Sequence, residues 1–138
     1  IYKKNSHWSI GSASLKEIEK LNILNASLLA MKRAVKKLKK KPKLVLVDGN
    51  KTPKIKNYNL KYVIKGDQKI PEISAASIIA KVSRDRLISK MSKKYEGYLW
   101  NKNAGYGTKD HLSAIKKYGI TKHHRRKFKP IHNILSLK

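Results

Sequence analysis

An α/β layered fold is predicted by three features of the 138-residue sequence. Residues 44–47 (LVLV) form an unbroken apolar run that stops at Asp48-Gly49-Asn50. A second apolar run at about 60–64 (LKYVI) stops at Lys65-Gly66-Asp67. Stretches with helical apolar spacing precede the first run and follow the second, and strands alternating with helices argue for packed layers. No internal repeat or linker divides the chain, so residues 1–138 read as one domain, long enough to bury about two-thirds of its unfolded surface.

Each element has a local reason. Residues 7–13 (HWSIGSA) alternate bulky and small side chains and read as a strand end entering a turn. Ser14 and Glu17 then stand at capping-box spacing. Ile18, Leu21, Leu24, Leu28, Met31, Val35 and Leu38 follow at steps of three, four and seven, as on one face of a helix. Asn22 can recap the chain, so the spacing allows one long helix or a short one followed by a long one. Lysines at 36, 37 and 39–41 suit the carbonyl end of the helix dipole, and Pro42 stops it. The run at 44–47 has the pattern of a strand buried on both faces. From Pro71 to about Tyr95 the pattern is helical, with Ile73, Ala76, Ala80, Ser83 and Leu87 on one stripe. Its small residues, Ser74 to Ser77 and Ala80, would let that helix lie close against a sheet. A loop with Gly97, Gly105 and Gly107 leads to a helix from near Thr108 to near Gly119, and the rest is basic.

Composition limits the function. There are 34 Lys or Arg against 8 Asp or Glu, a net charge of +26, which calls for a polyanionic partner; nucleic acid is the usual one. Only Arg33, Arg84, Arg86, Arg125 and Arg126 are arginines, and the Lys, Ile and Asn excess is also what AT-rich coding produces. A hydrophobic content of 40% is too high for a disordered tail. No apolar stretch approaches the roughly 20 residues of a membrane span. With no Cys, disulfide scaffolds, Cys-ligated zinc and thiol catalysis are excluded. No charged-then-apolar leader opens the sequence.

Among so few acids, position is informative. Asp48 and Asp67 each follow an apolar strand beside a glycine. Neighbouring strands would bring both carboxylates to one sheet edge, where α/β folds place their sites. Such a pair is matched either by Lys or by a hard divalent cation such as Mg²⁺ or Mn²⁺. Asp-Gly and Gly-Asp are also plain turn dipeptides, and the spacing alone leaves both readings open.

The runs LVLVDGN (44–50), KGD (65–67) and PEISAASIIAKVSRD (71–85) resemble bacterial ribonuclease HII. So do the opening from Trp8, GYGT (105–108) and HHRRKF (123–128), in order over nearly the whole chain. The resemblance implies a ribonuclease-H-like fold, a mixed central sheet flanked by helices with a helical, basic C-terminal segment. It implies a cytoplasmic, monomeric endonuclease that cuts the RNA strand of RNA–DNA hybrids, and ribonucleotides embedded in duplex DNA, leaving 5′-phosphates. Mg²⁺ or Mn²⁺ would assist through a four-carboxylate cluster. Two of the family's carboxylates match Asp48 and Asp67. The other two belong to a DExGRG motif with no counterpart here, so the chain corresponds to the C-terminal two-thirds of the family pattern. On that ground it is expected to be a truncated copy, inactive alone and prone to aggregate through uncovered strand edges.

Further roles follow from the same resemblance. Tyr106 of GYGT would stack on the sugar beyond the RNA–DNA junction. Asp85 matches a further acid, with a supporting role beside the metal cluster or a salt bridge to Arg84 as alternatives. Lys65 and Arg125 are candidate nucleic-acid contacts. Adjacent His123 and His124 point different ways on any regular element, so at most one could act as a base, and phosphate contact or packing is the expectation. His7, His111 and His132 carry no pattern. Glu72 is placed to cap the helix after Pro71. The competing reading is a basic nucleic-acid-binding module without catalysis.

Overall fold

The computed structural model describes residues 7–136. They gather into two compact units, Ile1–Ala80 and Lys81–Lys138. The first holds helix α1 (Leu15–Lys37), strands β1 (Val45–Asp48) and β2 (Leu60–Val63), a 3-10 turn (Gly66–Gln68) and the start of α2 (Pro71–Ser92). The second holds the rest of α2 with α3 (Trp100–Asn103), α4 (Lys109–Tyr118) and α5 (Lys129–Ser136).

The start of α1 follows local rules. Ser14 and Glu17 form the expected capping box: the Ser14 N–H donates to Glu17 Oε2 at 2.8 Å, and the Glu17 N–H donates back to Ser14 Oγ. Arg33 grips the same carboxylate with both guanidinium nitrogens, at 2.9 and 2.6 Å. These bonds, Arg33 first and the Ser14 backbone second, hold the Glu17 carboxyl at about 2. At Asn22 the backbone leaves the helix (φ 68°), and Asn22 Oδ1 accepts from the Asn25 N–H at 3.0 Å. Of the two alternatives, the short helix followed by a long one is therefore what forms. Lys36 and Lys37 occupy the last turn.

Residues 7–13 are not a strand end, because their polar groups are taken by α1. The Ser9 hydroxyl donates to the Ala34 carbonyl, Arg33 donates to Ser12 O at 2.8 Å, and Lys37 to Ile10 O at 3.2 Å. Gly11 makes this close approach feasible. A Cβ there would overlap the Ala30 carbonyl oxygen and lie 2.5 Å from the Ala34 nitrogen, which are backbone atoms that cannot rotate away. Gly11→Ala is expected to lift the segment off α1 and cost about 1–3 kcal/mol, the range for overpacking. A urea midpoint unchanged from the parent would exclude this account.

β1 and β2 pair in parallel from Val45↔Leu60 to Asp48↔Val63. Among the described residues the sheet is this two-stranded parallel pair, with no antiparallel member. A pair of strands cannot be covered like the centre of a wide sheet, so the expectation of burial on both faces is corrected: only Val47 of β1 is buried. The expected stripe on α2 is corrected for the same reason. Ile73 and Ile79 are buried, whereas Ala76 and Ala80 are exposed and Leu87 is 59% exposed. The narrow sheet gives the small-residue face little to lie against, and α2 ends at Ser92, short of Tyr95.

In the second unit Tyr98, Trp100, Ala114, Ile115 and Ile131 form the core, with Met91 and Ile134 packed on it. α4 has the expected limits. The Thr108 hydroxyl caps it by accepting from the His111 N–H, and Gly119 (φ 80°) closes it. No described helix is long and apolar enough to cross a membrane.

Candidate functional site

Asp48 ends β1, and the chain after β2 turns back to meet it. Lys65 takes a left-handed conformation (φ 55°) and opens the 3-10 turn that carries Gly66 and Asp67. The Gly66 N–H then donates to Asp48 Oδ1 at 2.8 Å. Gly66 is buried, and a Cβ there would lie 2.6 Å from Ile73 Cδ1 and 3.2 Å from Val63 Cβ. The glycine thus lets the backbone come close enough to orient the Asp48 carboxylate. Asp67 follows by one residue and, like Asp48 and Lys65, is exposed. Asp48 stands at the carboxyl end of β1 and Asp67 beyond that of β2, the edge at which open α/β sheets bind ligands.

Hard oxygen donors of this kind suit a divalent cation. The donor chemistry fits, but its number is short. Among the described residues no group of three or more His, Cys, Asp or Glu side chains is placed to hold a metal ion.

The second unit carries the other candidates. Tyr106 is 66% exposed, yet its loop is firmly held. Buried Asn103 donates to Tyr98 O at 2.7 Å and accepts from the Gly105 N–H at 2.8 Å, and the Tyr106 N–H donates to Asn103 O. Arg84 donates to Ala104 O at 2.8 Å while its guanidinium carbon lies 5.1 Å from the Tyr106 ring centroid. Asp85 is exposed and pairs with Arg84 at 3.6 Å. A loop held by several hydrogen bonds thus presents an aromatic ring to solvent; Asn103 carried no signal in the sequence, and Arg84 was legible as a partner for Asp85 and not as a support for Tyr106. Arg125 lies over the Phe128 ring at 4.6 Å.

His111 and His124 are structural. His124 is 7% exposed, and its Nδ1 accepts from the Thr121 N–H at 2.9 Å. Its ring stacks on buried His111 with centroids 5.2 Å apart and 16° between planes. Burial first, then the neighbouring His111, lowers the His124 pKa to about 4. His123 is lowered as well, first by burial and then by Lys122 and Lys94. A neutral, enclosed His124 packs rather than shuttling protons.

A parallel strand pair between helices, with carboxylates at its carboxyl ends, defines an α/β protein with an acidic sheet-end site. The solved ribonuclease H2 of Pyrococcus horikoshii OT3 superposes with a TM-score of 0.68 at 30% identity, over 90% of this chain and 66% of that one. A family model described as Ribonuclease HII matches residues 2–131, and the chain belongs to that family. Ribonuclease HII of Pelagibacter ubique is 70% identical over 133 residues, 96% of this chain and 72% of the relative. Ribonuclease HII of Cereibacter sphaeroides is 51% identical over 127 residues, 92% of this chain and 60% of the relative. The chain therefore spans between three-fifths and three-quarters of the length of these relatives.

Proposed function

We propose that this chain supplies part of the active site of an endonuclease that hydrolyses the RNA strand of RNA–DNA hybrids and cuts at ribonucleotides embedded in duplex DNA. The observation that carries the reading is the Asp48 carboxylate, fixed by the Gly66 N–H beside Asp67, in a chain matched by the Ribonuclease HII family over residues 2–131. Asp48 and Asp67 would hold Mg²⁺ or Mn²⁺. When bound, such ions lower the pKa of water and stabilise a leaving oxygen. Two carboxylates are half of the family's cluster, so the chain alone binds hybrid without hydrolysing it. Both units serve one catalytic domain, monomeric and cytoplasmic in this reading.

Lys65, beside the carboxylates, and Arg125 contribute positive charge toward phosphates. Tyr106 offers its exposed ring to a sugar or base, with Arg84 and, behind it, Asp85 steadying the ring. Tyr106→Ala removes no core packing and is expected to leave stability within about 0.5 kcal/mol, as surface changes do. Hybrid affinity should fall by about 1–3 kcal/mol, the worth of one stacking partner. Anisotropy titration with a labelled hybrid checks this, and equal affinity for parent and variant would remove Tyr106 from the interface.

The function is tested with a chimaera in which this chain replaces the matching 133 residues of the Pelagibacter ubique relative. The chimaera should cut a labelled hybrid and a duplex with one ribonucleotide when Mg²⁺ or Mn²⁺ is added, and leave them intact in EDTA. The 138-residue chain alone should bind and not cut. A folded chimaera that binds hybrid without metal-dependent cleavage would favour the pure binding module.

A further inference from the structure

The crossover from the carboxyl end of β1 back to the amino end of β2 borders a shallow, open depression of about 680 Å³. Its walls are Lys32 of α1 and the segment 52–60 that joins β1 to β2. Because β1 and β2 are parallel, this segment runs the length of the strands, from Thr52, four residues after Asp48, back to Leu60, which pairs with Val45 at their amino ends.

Lys32, Lys54 and Lys56 line the groove and no acid does. Tyr58 forms part of the wall, and the Lys41 ammonium lies 5.1 Å from its ring centroid. The segment is held in place from within, since Pro53 and Ile55 are buried. Residues 20–66 contain fourteen Lys or Arg and a single acid, Asp48. Like charges gathered without a counter-charge repel one another and concentrate positive potential in a concavity. A merely solvated lysine face requires neither an aromatic wall nor a buried anchor.

We propose that this shallow depression is a second nucleic-acid contact, holding the phosphodiester backbone of a strand along the crossover between β1 and β2. Lys32, Lys41, Lys54 and Lys56 are its phosphate partners, and Tyr58 is a stacking surface for sugar or base. The inference deepens the function proposed above and rests on it for the class of partner. Its readout is binding without cleavage, so the two readings can fail separately.

The test is anisotropy titration of labelled all-DNA duplex and of single-stranded DNA, in EDTA, between 50 and 200 mM KCl. The proteins are the 138-residue chain, Lys41→Ala/Lys54→Ala/Lys56→Ala, Tyr58→Ala, and a control, Lys90→Ala/Lys93→Ala/Lys116→Ala. Each lost phosphate contact flattens the slope of log K against log salt by about 0.9 on duplex and about 0.7 on single strands. The groove triple should therefore lose about 2–3 of slope and bind about 10- to 100-fold more weakly at 100 mM salt. Tyr58→Ala should weaken binding with the slope unchanged. Lys54→Gln/Lys56→Gln keeps the side-chain stems and should lose about 1–2 of slope, which guards against loss by unfolding. An effect confined to duplex assigns the groove to a duplex flank, and one confined to single strands to an unpaired strand. Affinity and slope equal to the control on both substrates would overturn the proposal.

Discussion

Asp48→Asn, introduced into the Pelagibacter chimaera, is expected to reduce metal-dependent cleavage by about a thousandfold or more, or about 4 kcal/mol of barrier. Asn retains an Oδ1 able to accept the Gly66 N–H that orients Asp48 at 2.8 Å, so the turn and its packing against Ile73 persist. What disappears is the charge and the second anionic oxygen. Hybrid affinity should hold or rise, because a negative charge beside a polyanion has been removed. Asp67→Asn should act in the same direction. Cleavage within tenfold of the parent chimaera would show that Asp48 is a turn residue and nothing more.

The second large effect is acid lability of the C-terminal unit. His124 is held neutral, with a pKa of about 4 against an ordinary 6.5. The unfolded chain therefore takes up the proton first, and stability falls as pH drops from about 6.5 to about 4. The full loss is on the order of 3 kcal/mol, at 1.36 kcal/mol per pH unit. Geometry gives the same sign. Nε2 is buried with no partner among the described residues, and the His111 and His123 imidazoles disfavour the charge further, against a smaller opposing contribution from the Thr121 backbone. His124→Asn keeps an acceptor for Thr121 without a titrating group. It should lower stability at neutral pH and flatten its pH dependence between 6.5 and 4, followed by urea midpoints. An equally steep dependence in the variant would assign the acid effect elsewhere.

Features governed by neighbours in sequence were legible before the structure. The Ser14–Glu17 box, the break at Asn22 and the Thr108 and Gly119 ends of α4 each depend on a side chain and backbone within a few residues. The strand ends at Asp48 and before Asp67 were readable because an apolar run stops at a turn dipeptide. Which face of α2 is covered was not, since that depends on sheet width, a property no local pattern encodes. The carboxylates were legible as residues, but the Gly66 N–H that orients one of them arises only when β2 pairs beside β1. Asn103 and Arg84 beneath Tyr106, the His111–His124 stack and the groove beside Tyr58 are likewise products of tertiary approach.

The exposed apolar side chains of the first unit have a consequence for colloidal behaviour. Ile23, Leu24, Tyr62, Ile64 and Ile78 all face solvent on a chain of charge +26. In dilute salt the repulsion reaches about 30 Å and keeps those surfaces apart, whereas at 1 M it reaches about 3 Å. Strong salt, the usual means of stripping bound polyanions from a basic protein, therefore also removes the barrier to self-association. An intermediate ionic strength is expected to suit the chain best, and light scattering across a salt series checks it.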